Sequence, residues 1–182
     1  QKSAEHLNLT IRSPNNLNTT EEFNFFIDQK PDIVVVVAYG QLIPKKFLEI
    51  PKKGFINIHA SLLPSWRGAA PIQRATMNLD KETGISIMKI IEELDSGPVM
   101  KKIKLNISPS DTSGEISEKL SKIGSKNIIE VLDNIFEDKV KFIDQEHNLA
   151  TYAKKIKKNE GKIDWEVNAK EIIGKINGLN PD

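Results

Sequence analysis

Two residues of the run F-I-N-I-H-A, Asn57 and His59, are of types that do chemistry, and they stand two positions apart. The run reads as a strand. Side chains alternate along a strand, so Phe55, Asn57 and His59 share one face while Ile56, Ile58 and Ala60 share the other. An amide that donates hydrogen bonds without titrating and an imidazole that carries a proton near neutral pH thus point the same way, at the strand's carboxyl end. In open α/β sheets that end is where ligands bind. A hydrogen-bonded structural role is the ordinary explanation of either residue taken alone, and the residues that follow add to it. Ser61-Leu62-Leu63-Pro64 leaves the strand through a turn constrained by proline. Further on, Glu92-Glu93-Leu94-Asp95-Ser96-Gly97 offers a carboxylate in a loop between two more strand-like runs. His6 and His147 lie in polar surroundings and read as surface residues without partners.

The elements that position these groups are legible in part. An apolar run over residues 32–39 predicts a buried parallel strand beside the Asn57 strand. Upstream, the chain from Gln1 reads as the tail of a helix-like segment followed by a short strand over residues 9–12. Thr19 or Thr20 before Glu21-Glu22 has the order of a helix cap and first-turn acids, with Phe23, Phe26 and Ile27 at helical spacing, and Pro31 stops that helix. Residues 45–50 form a short amphipathic segment. Pro71 suits the first turn of a helix. Thr83-Gly84 reads as a turn, with strands over residues 85–91 and 98–107 after it. Asp111-Thr112-Ser113-Gly114-Glu115 opens a long helix with a buried stripe at Ile116, Leu120, Ile123, Ile128, Val131, Leu132 and Ile135. Gly124 inside it marks a kink or a close contact. A polar loop begins at Gln145, a lysine-rich stretch covers residues 152–164, and a last amphipathic helix covers residues 168–179. Apolar strands alternating with polar helices predict an α/β fold with a doubly wound, mostly parallel sheet. Residues 1–145 form its main domain and residues 146–182 a linker and helix.

Composition bounds the function. The 182 residues suffice for one domain with a real core. The 26 Lys plus Arg nearly cancel 25 Asp plus Glu, which excludes a uniformly basic coat and leaves room for a local basic patch. No cysteine is present, so disulfides, thiolate metal sites and Cys nucleophiles are excluded. No His, Asp and Glu cluster has metal spacing, so no metal is expected. Gly40 lies in no G-x-G-x-x-G fingerprint, which leaves a nicotinamide site unsupported. No run approaches the ~20 apolar residues of a membrane helix, and the reading is a soluble, cytoplasmic protein that acts as a monomer.

The run N-I-H-A-S-L-L-P followed by L-D-S-G resembles the formyltransferases that use 10-formyltetrahydrofolate, whose catalytic trio of Asn, His and Asp matches Asn57, His59 and Asp95. Formyl transfer passes through a tetrahedral, negatively charged carbon, which needs an oxyanion donor and a group that handles protons on two nitrogens. The resemblance implies that Asn57 is the donor, that His59 donates to the same oxygen or protonates the departing nitrogen, and that Asp95 takes the proton of the attacking amine. The flanks W-R-G-A-A-P-I-Q-R-A, T-G-I-S-I-M, D-T-S-G-E and T-Y-A-K-K-I-K-K-N-E-G-K-I-D-W are similar to the branch acting on initiator methionyl-tRNA. The alternatives within the family are formyltransferases for glycinamide ribonucleotide or an amino sugar, and outside it a folate- or RNA-binding module without turnover. By this analogy Tyr39, Gly40, Gln41, Leu42 and Ile43 line the folate pocket together with Glu92, Glu93 and Leu94. Ser61, Leu62, Leu63 and Pro64 shape it, largely through backbone contacts. The resemblance also implies that Lys154, Lys155, Lys157, Lys158 and Lys162 hold tRNA phosphate. The family opens with a strand and ends in a small tRNA-binding β-barrel, neither matched here, so the chain is expected to be part of a longer one. One side of residues 33–37 is then left without a strand partner.

Overall fold

The computed structural model describes residues 2–181. In chain order its elements are α1 (Lys2–His6), α2 (Thr20–Asp28), β1 (Val34–Val37), α3 (Lys45–Leu48), β2 (Phe55–His59), β3 (Arg67–Gly68), α4 (Pro71–Met77), β4 (Glu82–Lys89), β5 (Val99–Asn106), α5 (Ser113–Phe136), β6 (Tyr152–Ala153) and α6 (Ala169–Gly178). Short 3-10 turns lie at His147–Leu149 and Lys158–Gly161. The helix starts are set locally. Thr19 Oγ1 accepts from the Glu22 amide at 3.2 Å, and Pro71 occupies the first turn of α4. At α5 the Thr112 hydroxyl accepts from the Glu115 amide at 3.3 Å while Glu115 accepts from the Thr112 amide at 2.8 Å, a reciprocal cap that satisfies two otherwise orphaned donors. Gln1, part of the expected helix tail, lies outside the described residues.

The main sheet has the order β1-β2-β4-β5. Helices cover both faces, as expected of an open Rossmann-like α/β sheet, but the expected parallel majority does not hold among the described strands. Within this sheet β1 and β2 run parallel, while β2 with β4 and β4 with β5 are antiparallel. The chain between Lys89 and Val99 is too short for the crossover of about a dozen residues that a parallel pair needs. Alternation of strand and helix does not by itself specify direction between β2 and β4. Two further expectations fail. Residues 9–12 form no strand. Thr83 and Gly84 lie inside β4 instead of in a turn. A Cβ at Gly84 would stand 2.1 Å from the Ile103 carbonyl oxygen, so glycine is there because the neighbouring strand is close.

On one face, α5 lays Ile116, Leu120, Val131 and Ile135 against Ile56, Ile85 and Ile87. Gly124 faces the sheet, where a Cβ would meet Ile58 Cγ2 at 3.4 Å, an ordinary van der Waals contact, and α5 runs on without a break. On the other face, the rings of Phe23 and Phe26 stand 5.1 Å from Phe47, and Phe26 stacks on Phe55 at 5.9 Å. Burying Phe47 alone contributes about 1.5–3 kcal/mol. The strand expected over residues 32–39 is short and half-exposed because β1 is an edge. Among the described residues it pairs with β2 alone, and Val35 and Val37 on the α5 side are 38% and 61% exposed.

The residues after α5 pack against β3 and α4. β6 pairs in parallel with β3, and α6 packs on α4 so closely that a Cβ at Gly178 would stand 2.3 Å from Met77 Cγ. Arg74 of α4 forks onto Glu160 at 2.7 and 3.0 Å. Among the described residues, no helix is long and apolar enough to cross a membrane.

Candidate active site

The structure brings Asn57, His59 and Asp95 together at the carboxyl end of β2. Alternation carries Asn57 and the buried His59 to one face, opposite the face that Ile56 gives to α5. The loop after β4 swings Asp95 across that face. Asn57 Nδ2 lies 3.5 Å from Asp95 Oδ1, and His59 Nδ1 lies 3.7 Å from Asp95 Oδ2. Both separations are long for direct hydrogen bonds, and apo sites commonly tighten only around substrate. Asp95 is held in place from elsewhere: Oδ2 accepts from the Gly68 amide at 2.8 Å. Its backbone is left-handed, with φ +46°, a conformation that Asp tolerates better than most residues.

His59 is oriented by the same segment. Nε2 donates to the Trp66 carbonyl at 2.9 Å. A carbonyl only accepts, so Nε2 carries a proton in every charge state, and Nδ1 is the nitrogen that faces Asp95. Trp66 and Gly68 therefore contribute backbone groups, while Arg67 between them sends its buried side chain to Gln145 and His147. The sequence marks this segment as a motif but not its backbone role at the site, because a backbone carbonyl and amide carry no residue type. Gln145 does lie in a loop, as expected, but it is buried, and His147, though exposed, lies 3.2 Å from Arg67 Nη2.

The flanking residues divide. Tyr39, Leu42 and Leu94 leave apolar surface open at the sheet's carboxyl edge. Lys45 Nζ and Glu92 Oε1, 2.7 Å apart, tie the segment after β1 to the Asp95 loop, so these two stretches border one region. Gly40 and Gln41 are exposed beside Leu42, and Ile43 is half-buried. Ser61 and Leu63 turn inward instead. The Ser61 hydroxyl donates to the Ser65 carbonyl at 2.6 Å, and Leu63 packs with Met88 and Val99. Leu62 lies over Gly84, and the Pro64 carbonyl accepts from the Thr151 amide at 3.2 Å. Glu93 accepts from the Ser96 hydroxyl at 3.2 Å. Among the described residues no group of three or more His, Cys, Asp and Glu could hold a metal ion.

An open α/β sheet of Rossmann type, with an amide, an imidazole and a carboxylate grouped at its carboxyl edge, defines the class of domain. The chain belongs to the formyl transferase family, whose model matches residues 3–132. It is 58% identical over 179 residues, 98% of its length, to a methionyl-tRNA formyltransferase of Pelagibacter ubique (strain HTCC1062). It is 45% identical over 181 residues, its whole length, to one of Jannaschia sp. (strain CCS1). The chain spans 58% and 60% of the lengths of these two curated relatives. Among solved structures, the sugar 3N-formyl transferase WlaRD, crystallised with dTDP and 5-N-formyl-THF, superposes with a TM-score of 0.77 at 19% identity, over 97% of this chain and 61% of that one.

Proposed function

We propose that the protein transfers a formyl group from 10-formyltetrahydrofolate to the amino group of methionine on initiator methionyl-tRNA, in the cytoplasm and as a monomer. The observation that carries this reading is the placement of the Asp95 carboxylate between the Asn57 amide and the His59 imidazole. The folate donor supplies a formyl group bonded to nitrogen. Asn57 Nδ2 donates to the formyl oxygen as it gains charge, a contact worth about 10²–10³ in rate where such donors have been removed. Asp95 Oδ1, the oxygen not tied to Gly68, receives the proton released as the amine nitrogen bonds to the formyl carbon. His59, protonated at Nδ1, shares the developing negative charge and returns a proton to the departing folate nitrogen as its bond to carbon breaks. One C–N bond forms, one breaks, and one proton passes between the nitrogens.

The open apolar surface of Tyr39, Leu42 and Leu94, beside the stretches joined by Lys45 and Glu92, suits a flat heteroaromatic ring system. The acceptor follows from the relatives bearing that name at 58% and 45% identity. Lys154, Lys155, Lys157, Lys158 and Lys162 are all exposed, and among the described residues none forms an ion pair with a carboxylate. Arg74 pins the chain beneath them through the Lys154 and Lys155 carbonyls, leaving the ammonium groups to face phosphate. The test uses the complete protein, labelled 10-formyltetrahydrofolate, and methionyl-tRNA, glycinamide ribonucleotide and an amino-sugar nucleotide as acceptors. Label is expected in methionyl-tRNA. Label only in a small acceptor reassigns the substrate, and label in none overturns the reaction.

A further inference from the structure

We propose that Gln145 is a positioning residue for Asp95, linking the buried Arg67 guanidinium to the backbone of the Asp95 loop. The inference rests on the catalytic reading of Asp95 given above and goes beyond it. Gln145 is only 7% exposed, and every hydrogen-bonding capacity of its amide is used. Nε2 donates to the Asp95 carbonyl at 2.9 Å and to the Gly97 carbonyl at 2.7 Å. Oε1 accepts from Arg67 Nε at 3.1 Å and Nη2 at 2.7 Å. These partners fix the amide's orientation, since turning it over would set NH2 against the guanidinium and the oxygen against two carbonyls.

The linkage closes on itself. Arg67 and Gly68 are neighbours in β3; Gly68 holds the Asp95 carboxylate by its amide while Arg67, through Gln145, holds the Asp95 carbonyl. Asp95 is thus gripped at side chain and backbone from one two-residue strand, which secures its left-handed conformation. The strand is itself docked: Arg67 N donates to the Thr151 carbonyl at 2.8 Å, and a Cβ at Gly68 would stand 2.9 Å from the Ala153 oxygen. Trp66, one residue earlier, holds His59. Among the described residues Arg67 has no carboxylate within ion-pair distance, so the neutral amide carries the connection between buried cation and loop without adding a negative charge beside Asp95.

Gln145→Glu separates positioning from folding, because it preserves size and gives Arg67 a carboxylate while removing both donors to the loop. In the complete enzyme it is expected to lower kcat for formyl transfer by ~10- to 100-fold, the effect of a displacement of about 1 Å at a reacting group. KM for the folate should change less than ~3-fold, the split expected when alignment of a reacting group is lost and binding is kept. Unchanged kcat, or a loss no larger than the drop in folded fraction by circular dichroism, overturns the proposal. If Gln145→Glu does not fold, Arg67→Lys breaks the fork onto Oε1 while keeping the charge. A fall in kcat with KM held supports the linkage, and wild-type kinetics overturn it. Asp95→Asn is measured alongside. Wild-type turnover in that variant refutes the catalytic reading and the positioning with it, whereas an inactive Asp95→Asn with unperturbed Gln145→Glu and Arg67→Lys refutes the positioning alone.

Discussion

Because the Trp66 carbonyl keeps a proton on His59 Nε2, any change of charge on that imidazole is confined to Nδ1, on the Asp95 side. Asn57 differs in kind: its amide cannot titrate, and its donor Nδ2, 3.5 Å from Asp95 Oδ1, is the group that the proposed reaction aims at the formyl oxygen. Removing a preorganised donor weakens the transition state more than the ground state. Asn57→Ala in the complete enzyme is therefore expected to reduce kcat by about 10²–10³ while leaving folate affinity nearly unchanged. Single-turnover rates and equilibrium folate binding measure the two separately, and a loss expressed wholly in binding would contradict the assigned role.

At the scale of elements, α4 is joined to the turn at Lys158–Gly161 by an ion pair. Arg74 grips Glu160 with a two-pronged fork, and the Glu160 carboxyl is held down at about 2, first by that guanidinium and then by the Lys157 amide. Its ordinary value is 4.5, so the folded state binds this proton less tightly than the unfolded chain. The stabilisation is therefore fully present above pH 4.5 and is lost as pH falls towards 2. Glu160→Gln should cost about 1 kcal/mol at neutral pH, a modest figure because the pair is partly solvated. Urea titrations of both proteins at several pH values should show the gap closing between pH 4.5 and 2; a gap independent of pH would mean that the ion pair contributes nothing.

The whole molecule carries an open edge and an exposed lysine-rich stretch over residues 154–162. Val35 and Val37 leave β1 apolar and, among the described residues, unpaired on its outer side. Such an edge templates pairing with other chains. Residues 1–182 expressed alone should self-associate in sedimentation velocity, and Val35→Lys with Val37→Lys should restore the monomer; a monomeric wild-type chain would disprove this. The lysines of residues 154–158 should act through phosphate. Each contact adds about 0.7–0.9 to the slope of log affinity against log salt. Changing Lys154, Lys155, Lys157 and Lys158 to Gln in the complete protein should weaken tRNA binding and flatten that slope, and an unaltered slope would make the stretch an ordinary solvated surface.

Features governed by covalent geometry and neighbours a few residues away were legible in the sequence. A cap at Thr19 or Thr20, which the structure gives to Thr19, a helix start within residues 111–115, Pro71 at its helix start and the shared face of Asn57 and His59 all arise within one turn or one strand. The motifs around them carry enough residue types to show the family. The direction of β4 and β5, the burial of Gln145 and the pairing of β6 with β3 arise between segments far apart in the chain. Periodicity marks which face of a strand is apolar, not which way the strand runs. The grip on the site is further from view because the Trp66 carbonyl and Gly68 amide exist at almost every position of any sequence. Only the fold, by bringing β3 against β2 and the Asp95 loop, decides that these two backbone groups meet His59 and Asp95.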